Sequence, residues 1–117
     1  MRITWEYQGN TETVEFFDDD VLIGRAVGQE QGDPGLCLAF DPKVSRRHAR
    51  IWLEDDDYWL EDLESRRGTF VNGKRLEAIW GLTEKDVITV GETTLRVEGL
   101  RAFKTMVLKP PPEPGAD

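Results

Sequence analysis

One histidine, one cysteine and two methionines are all that these 117 residues offer to soft-metal or thiol chemistry. The lone Cys37 excludes an intrachain disulfide. Its setting in Leu36-Cys37-Leu38-Ala39-Phe40 reads as a small buried hydrophobe, not a reactive thiol. His48 has no second imidazole to share a metal and no carboxylate beside it in sequence, so neither a metal centre nor a catalytic base is expected there. No Gly-x-Ser-x-Gly elbow, phosphate-binding P-loop or His-Glu-x-x-His occurs, which argues against an enzyme. No apolar run approaches the roughly 18–20 residues that span a bilayer. The start, Met1–Tyr7, lacks the apolar stretch of a secretory signal. The expectation is a cytoplasmic domain without catalytic residues, cofactor, metal or membrane contact.

Positive charge is also scarce, and it is unevenly placed. The net charge is −8, yet eight of the fifteen basic residues fall within Lys43–Arg50 and Arg66–Arg75, two segments that contain no acid. Those eighteen residues carry +8, and the other ninety-nine carry −16. The cations sit beside Ser45, His48, Ser65, Gly68 and Asn72, the hydroxyls and loop backbone that a bound phosphate requires. Overall acidity disfavours duplex nucleic acid and anionic membranes. A cationic spot on an acidic body suits one small anion presented by a specific partner, while the surround repels polyanions. The acidic runs Asp18–Asp20 and Glu54–Asp57 lack the glycine and terminal glutamate of a calcium loop and read as turns.

The periodicity is that of strands. Alternating or short apolar runs lie at Ile3–Tyr7, Thr13–Phe16, Val21–Ile23, Leu36–Phe40, His48–Leu53, Tyr58–Leu63, Thr69–Val71, Val87–Val90 and Thr94–Val97. Turn signals separate them, the strongest being Asn72-Gly73, where both residues tolerate positive φ. Short strands at close spacing indicate a sandwich or barrel. Residues 28–35 form a polar, glycine-rich loop. The ending, Lys109-Pro-Pro-Pro-Glu-Pro-Gly-Ala-Asp117, is extended and unable to join a sheet. One domain over residues 1–100 is expected, followed over 101–117 by a Pro-rich tail or linker to further domains.

Three pieces of the chain carry chemistry. Gly24-Arg25 ends an apolar strand with a guanidinium at the sheet rim; Ser45-Arg46-Arg47-His48 opens another strand; Ser65-Arg66-Arg67-Gly68-Thr69-Phe70-Val71-Asn72-Gly73 leads through a polar loop into a hairpin. In this order they resemble the forkhead-associated (FHA) domain family, whose pattern is Gly-Arg, Ser-x-x-His and Ser-x-x-Gly-Thr-x-x-Asn-Gly. The likeness runs on through Trp59-Leu60-Glu61-Asp62-Leu63 and Asp86–Gly91 and spans about residues 2–98. It implies an all-β, FHA-type (SMAD/FHA-like) eleven-stranded β-sandwich with the binding loops at one end.

The resemblance also implies a reader of phosphothreonine peptides, acting without catalysis in Ser/Thr-kinase-dependent signalling or assembly. Its partner would be a phosphothreonine-containing protein modified by an upstream kinase, and the isolated domain would be a monomer. A phosphothreonine brings about −1.5 to −2 charges and three strong acceptor oxygens. Arg25 would meet it as the charged contact and Ser45 as the hydroxyl donor, with Arg46, Arg66 and Arg67 adding donors to phosphate or peptide. Gly24, His48, Gly68, Thr69, Asn72 and Gly73 would brace the loops. Arg67 stands where many members carry an asparagine that grips the peptide backbone, and it could instead favour acidic residues after the phosphothreonine. Arg50 should point away from Ile51, and Arg47, Lys74 and Arg75 read as solvated. Thr105, tethered after the last strand, is a possible regulatory phosphosite whose phosphate could enter the domain's own pocket. The alternative is a phospho-independent interaction module that uses another surface of the sandwich.

Overall fold

The computed structural model describes residues 1–29 and 33–98. The tail over 101–117 and Thr105 therefore lie outside the described residues. Eleven strands, and no helix among those residues, form two sheets. In chain order they are β1 (Arg2–Tyr7), β2 (Asn10–Glu15), β3 (Asp20–Gly24), β4 (Gly35–Cys37), β5 (Ala49–Glu54), β6 (Asp57–Asp62), β7 (Thr69–Val71), β8 (Lys74–Arg75), β9 (Trp80–Gly81), β10 (Ile88–Val90) and β11 (Thr93–Glu98). One sheet has the order β2-β1-β11-β10-β7-β8 and the other β4-β3-β5-β6-β9. Eleven strands in two sheets are what the resemblance implies. No helix of the described residues is long and apolar enough to cross a membrane.

Alternation explains the layering. Ile3, Val21, Ile23, Ala49, Ile51, Leu60, Ile88, Val90, Leu95 and Val97 turn inward from both sheets, and most are fully buried. A period of two leaves their neighbours on the outer faces. On one outer face Arg50 lies over the Trp52 ring and pairs with Asp20 and Glu61, at 2.7 and 3.3 Å, so it points opposite Ile51 as alternation requires. Tight turns are built from residues that accept positive φ: Gln8-Gly9, Asp55-Asp56 and Asn72-Gly73 join consecutive antiparallel strands. Both acidic runs lie at chain reversals or strand starts, and Asp20 is occupied by Arg50.

Differences from the periodicity are short-range. The run Leu36–Phe40 is a strand only to Cys37: Leu38 still faces the core and its N–H still binds the Gly24 carbonyl, but its own carbonyl accepts the Asp41 N–H in a turn. Cys37 is half-buried, with its thiol 3.4 Å from the Arg25 carbonyl oxygen, rather than packed away as expected. The two-residue strands β8 and β9 carry no period that a sequence pattern could show.

The register decides where function can sit. Ile23 on β3 pairs with Ala49 on β5, which pairs with Asp62 on β6. The end of β3, the start of β5 and the end of β6 therefore meet at one rim, and Thr69 opens β7 nearby. Replacing Leu60 by Ala at the centre of this core should cost about 2–5 kcal/mol in urea denaturation. Phe17→Ala, at a side chain 93% exposed, should stay within about 0.5 kcal/mol.

Candidate phosphate-binding loops

Gly24 closes β3 because nothing larger fits there. A Cβ at this position would sit 2.0 Å from the Arg46 carbonyl oxygen. The backbone of Ser45 and Arg46 lies against the strand end, accepting the N–H groups of Arg25 and Ala26 at 3.0 and 3.1 Å. Arg25 leaves this contact half-buried, and its Nε donates to the Val44 carbonyl at 2.5 Å. That bond ties the guanidinium to the 41–44 loop through Nε and does not use its terminal nitrogens.

The second layer is His48, fully buried. Its Nδ1 accepts the Ser45 N–H at 3.0 Å, so the ring proton sits on Nε2, which donates to the Gly68 carbonyl at 2.9 Å. Burial lowers the imidazole's pKa, while the Gly68 carbonyl and the charges of Asp62 and Asp41 pull it back up. The fold thus supplies carboxylates that are absent from the residue's sequence neighbourhood. A second bridge joins the same two loops: Ser45 Oγ accepts the Arg66 N–H at 2.9 Å. The hydroxyl proton of Ser45 remains to be donated elsewhere.

The 63–68 loop is held from below by Asp62, which accepts from the Ser65 hydroxyl, the Ser65 N–H at 3.0 Å and the Thr69 hydroxyl at 2.7 Å. Burial pushes this carboxyl's pKa up, but these bonds and His48 outweigh it and hold the group below the usual carboxylate range. Ser65 in turn accepts the Gly68 N–H at 2.9 Å. Gly68 adopts φ +89°, a conformation that strains any residue with a side chain, and the Arg75 guanidinium lies against it. The 41–44 loop has its own staple: buried Asp41 accepts from the Lys43 and Glu92 N–H groups and from the Thr93 hydroxyl.

These contacts create an open depression of about 430 Å³ lined by Arg25, Lys43, Val44, Ser45, Arg46, Arg66 and Arg67, together with Pro42 and Arg47. All five residues expected to touch a phosphopeptide are brought to it, and no carboxylate lines it. Gly24, His48, Gly68 and Thr69 lie immediately beneath. Asn72 and Gly73 lie at the other end of β7, where Asn72 ties Asp86 and Val87 to the hairpin. Arg47, read from sequence as merely solvated, belongs to the lining. Asp62 and Asp41 also went unidentified. Their signal was an aspartate with its N–H partner two or three residues on, the local turn that this side chain favours.

Known proteins are similar to this chain in sequence and in fold. A family model described as the FHA domain matches residues 21–91. The chain is 39% identical to a probable E3 ubiquitin-protein ligase, dma1, of Schizosaccharomyces pombe over 57 residues, which is 48% of this chain and 21% of that protein. A sarcolemmal membrane-associated protein of Mus musculus is 36% identical over 64 residues, 52% of this chain and 8% of its own length. The chain thus spans under a quarter of these curated relatives. A domain solved in a study of phosphothreonine-dependent FHA domain interactions matches with TM-score 0.58 and 29% identity, covering 86% of this chain and all of that one.

Two outcomes follow from the braces. Since burial depresses the His48 pKa, the unfolded chain takes up its proton first as pH falls. Stability should therefore decline below about pH 6.5, by at most about 1.4 kcal/mol per pH unit from this group. His48→Asn should flatten that part of a denaturation-versus-pH curve; the contribution of Asp62, held below its ordinary value, should be lost only below about pH 4. Gly24→Ala should lower the urea midpoint through the collision with Arg46.

Proposed function

This chain belongs to the FHA domain family, a family of generally non-catalytic, phosphothreonine-dependent interaction modules, and on that premise we propose that its arginine-lined depression reads a phosphothreonine in a partner protein. The modification would be written by a Ser/Thr kinase, making the domain a signalling or assembly module with no reaction of its own. The observation that carries this reading is the preparation of donors at one spot. The Arg25 guanidinium is fixed through Nε, and the Ser45 hydroxyl accepts from Arg66 N–H, leaving its proton free to give.

A phosphate dianion entering here meets Arg25 as a charge-assisted partner and Ser45 as a short hydroxyl donor. Arg46 and Arg66 add charge from the two sides of the depression. Each bond to a charged group contributes about 1.5–3 kcal/mol. Two or three of them support a micromolar complex after the cost of association. Because the loops are already joined through His48 and Ser45, little ordering remains to be done on binding. The phospho-independent alternative uses none of these groups.

Fluorescence anisotropy tests the reading. A phosphothreonine peptide should bind, its unphosphorylated twin should not, and the phosphoserine version should bind more weakly. Arg25→Ala and Ser45→Ala should each weaken the complex about 10–100-fold. Affinity unchanged in Arg25→Ala would place the ligand elsewhere.

A further inference from the structure

We propose that the outer face of the five-stranded sheet, around Trp52 and Trp59, is the docking site of the chain's own segment 101–112, which is basic, apolar and proline-containing.

The solvent face of an antiparallel sheet is ordinarily polar. Around β1 the six-stranded sheet follows that rule, setting Thr4 between Thr13 and Arg96 and Glu6 between Thr11 and Thr94. The five-stranded sheet does not. Ile51 and Leu60 pair and are fully buried, so the neighbouring pair Trp52 and Trp59 stands on the outside. Leu22 and Arg50 pair beside them on the same face. Both indole N–H groups donate to Glu54, Trp52 to its carboxylate at 3.0 Å and Trp59 to its carbonyl at 3.3 Å. These bonds hold the two rings side by side as a platform. Beyond it lies Gly81 on the edge strand β9, which has no side chain to cover the Trp59 ring.

The platform has an acidic rim. Residues 18–20 and 54–57 are seven carboxylates, and neither 3–24 nor 51–65 contains a lysine or arginine. Asp20 is opposite Trp52 in register, and Glu54 faces Asp57 across the hairpin that follows. Arg50 is already held by Asp20 and Glu61. Indole rings inside such a rim suit an extended peptide whose prolines stack on them and whose cations meet the carboxylates.

Segment 101–112 has that chemistry. It reads Arg-Ala-Phe-Lys-Thr-Met-Val-Leu-Lys-Pro-Pro-Pro, with three cations and no acid. It also starts within reach. Glu98, at the end of β11, is in register with Arg2, which pairs with Glu15; five residues on from Glu15 is Asp20, opposite Trp52. Paired Cα atoms are about 5 Å apart and a chain spans at most about 3.6 Å per residue, so Glu98 lies within about 35 Å of Trp52. Lys109 follows Glu98 by eleven residues, a reach of about 36–40 Å, and the prolines come directly after it. The opposite end of the sandwich, with Arg25, Arg46, Arg47, Arg66 and Arg67, repels the same three cations. Tethering supplies an effective concentration of about millimolar, so a weak contact is enough to populate the docked state.

Spin labelling of the full chain supplies the test. A nitroxide on Ala116→Cys, in a Cys37→Ser background shown folded by its thermal melt, is read by its broadening of the indole N–H signals. Trp5, whose ring packs on Phe40, is the reference. Broadening at Trp52 and Trp59 should exceed that at Trp5, and should fall about threefold or more when salt is raised to about 1 M, where screening acts within about 3 Å. Lys104→Glu/Lys109→Glu, which leaves every strand untouched, should reduce it to the Trp5 level. Trp59→Thr, which keeps a strand-forming residue, should do the same at Trp52.

Equal broadening of all three indoles would overturn the proposal, as would broadening that survives the charge reversal. A spin-labelled chain without nitrogen-15, mixed with an unlabelled chain that carries it, should give no broadening. Broadening in that mixture would assign the face to a second copy's segment and overturn the intrachain docking.

Discussion

A single buried, neutral imidazole holds the two loops of the candidate phosphate site together. His48 accepts one N–H and donates one N–H, and it does both only without a charge. Its partners, Ser45 and Gly68, are twenty-three residues apart in sequence. Where it joins them, the Ser45 hydroxyl also accepts from the Arg66 N–H, and the arginines of both loops line one depression. Burial keeps the ring neutral by lowering its pKa. The same burial makes the bridge strong, since a hydrogen bond lost in a dry interior leaves polar groups unsatisfied.

The carboxylates that support these loops play the opposite part to those on the outer surface. Asp62 and Asp41 collect N–H and hydroxyl donors from the turns around them and give them fixed shape, as Asp86 does with N–H donors at the other end of β7. Asp20, Glu61 and Glu92 neutralise arginine or lysine at the faces and edges. Among the described residues, neither kind of acid pairs with the arginines that line the depression. The body's negative charge then disfavours extended polyanions, while the loops retain an uncompensated field for a small anion.

The sandwich itself explains why the site lies at a rim. Because β5 lies between β3 and β6 and runs antiparallel to both, the chain leaves β3, enters β5 and leaves β6 at the same end. Irregular backbone at that end can present N–H and hydroxyl groups that strands would consume in pairing. Gly24 permits the closest approach, since the Arg46 carbonyl occupies the space a Cβ would need.

Much of this was readable in the residues alone. A period of two set the strands and the inward positions, Asn72-Gly73 set a hairpin, and the ordered motifs pointed to the family and to Arg25, Ser45, Arg46, Arg66 and Arg67. Those features are local: alternation and turn chemistry act over a few neighbouring residues. Which cations are free could not be read in that way. Arg50 and Arg47 look alike in a basic run, yet β pairing sets Arg50 beside Asp20 and Glu61, while the loop turns Arg47 into the depression. The carboxylates around His48 are likewise distant in sequence and close only after folding. The sequence by itself determined the kinds of groups present and the strands that carry them. Only the tertiary structure decided which charges are neutralised, because Coulomb and hydrogen-bond energies depend on distances through space that strand register and loop bracing create.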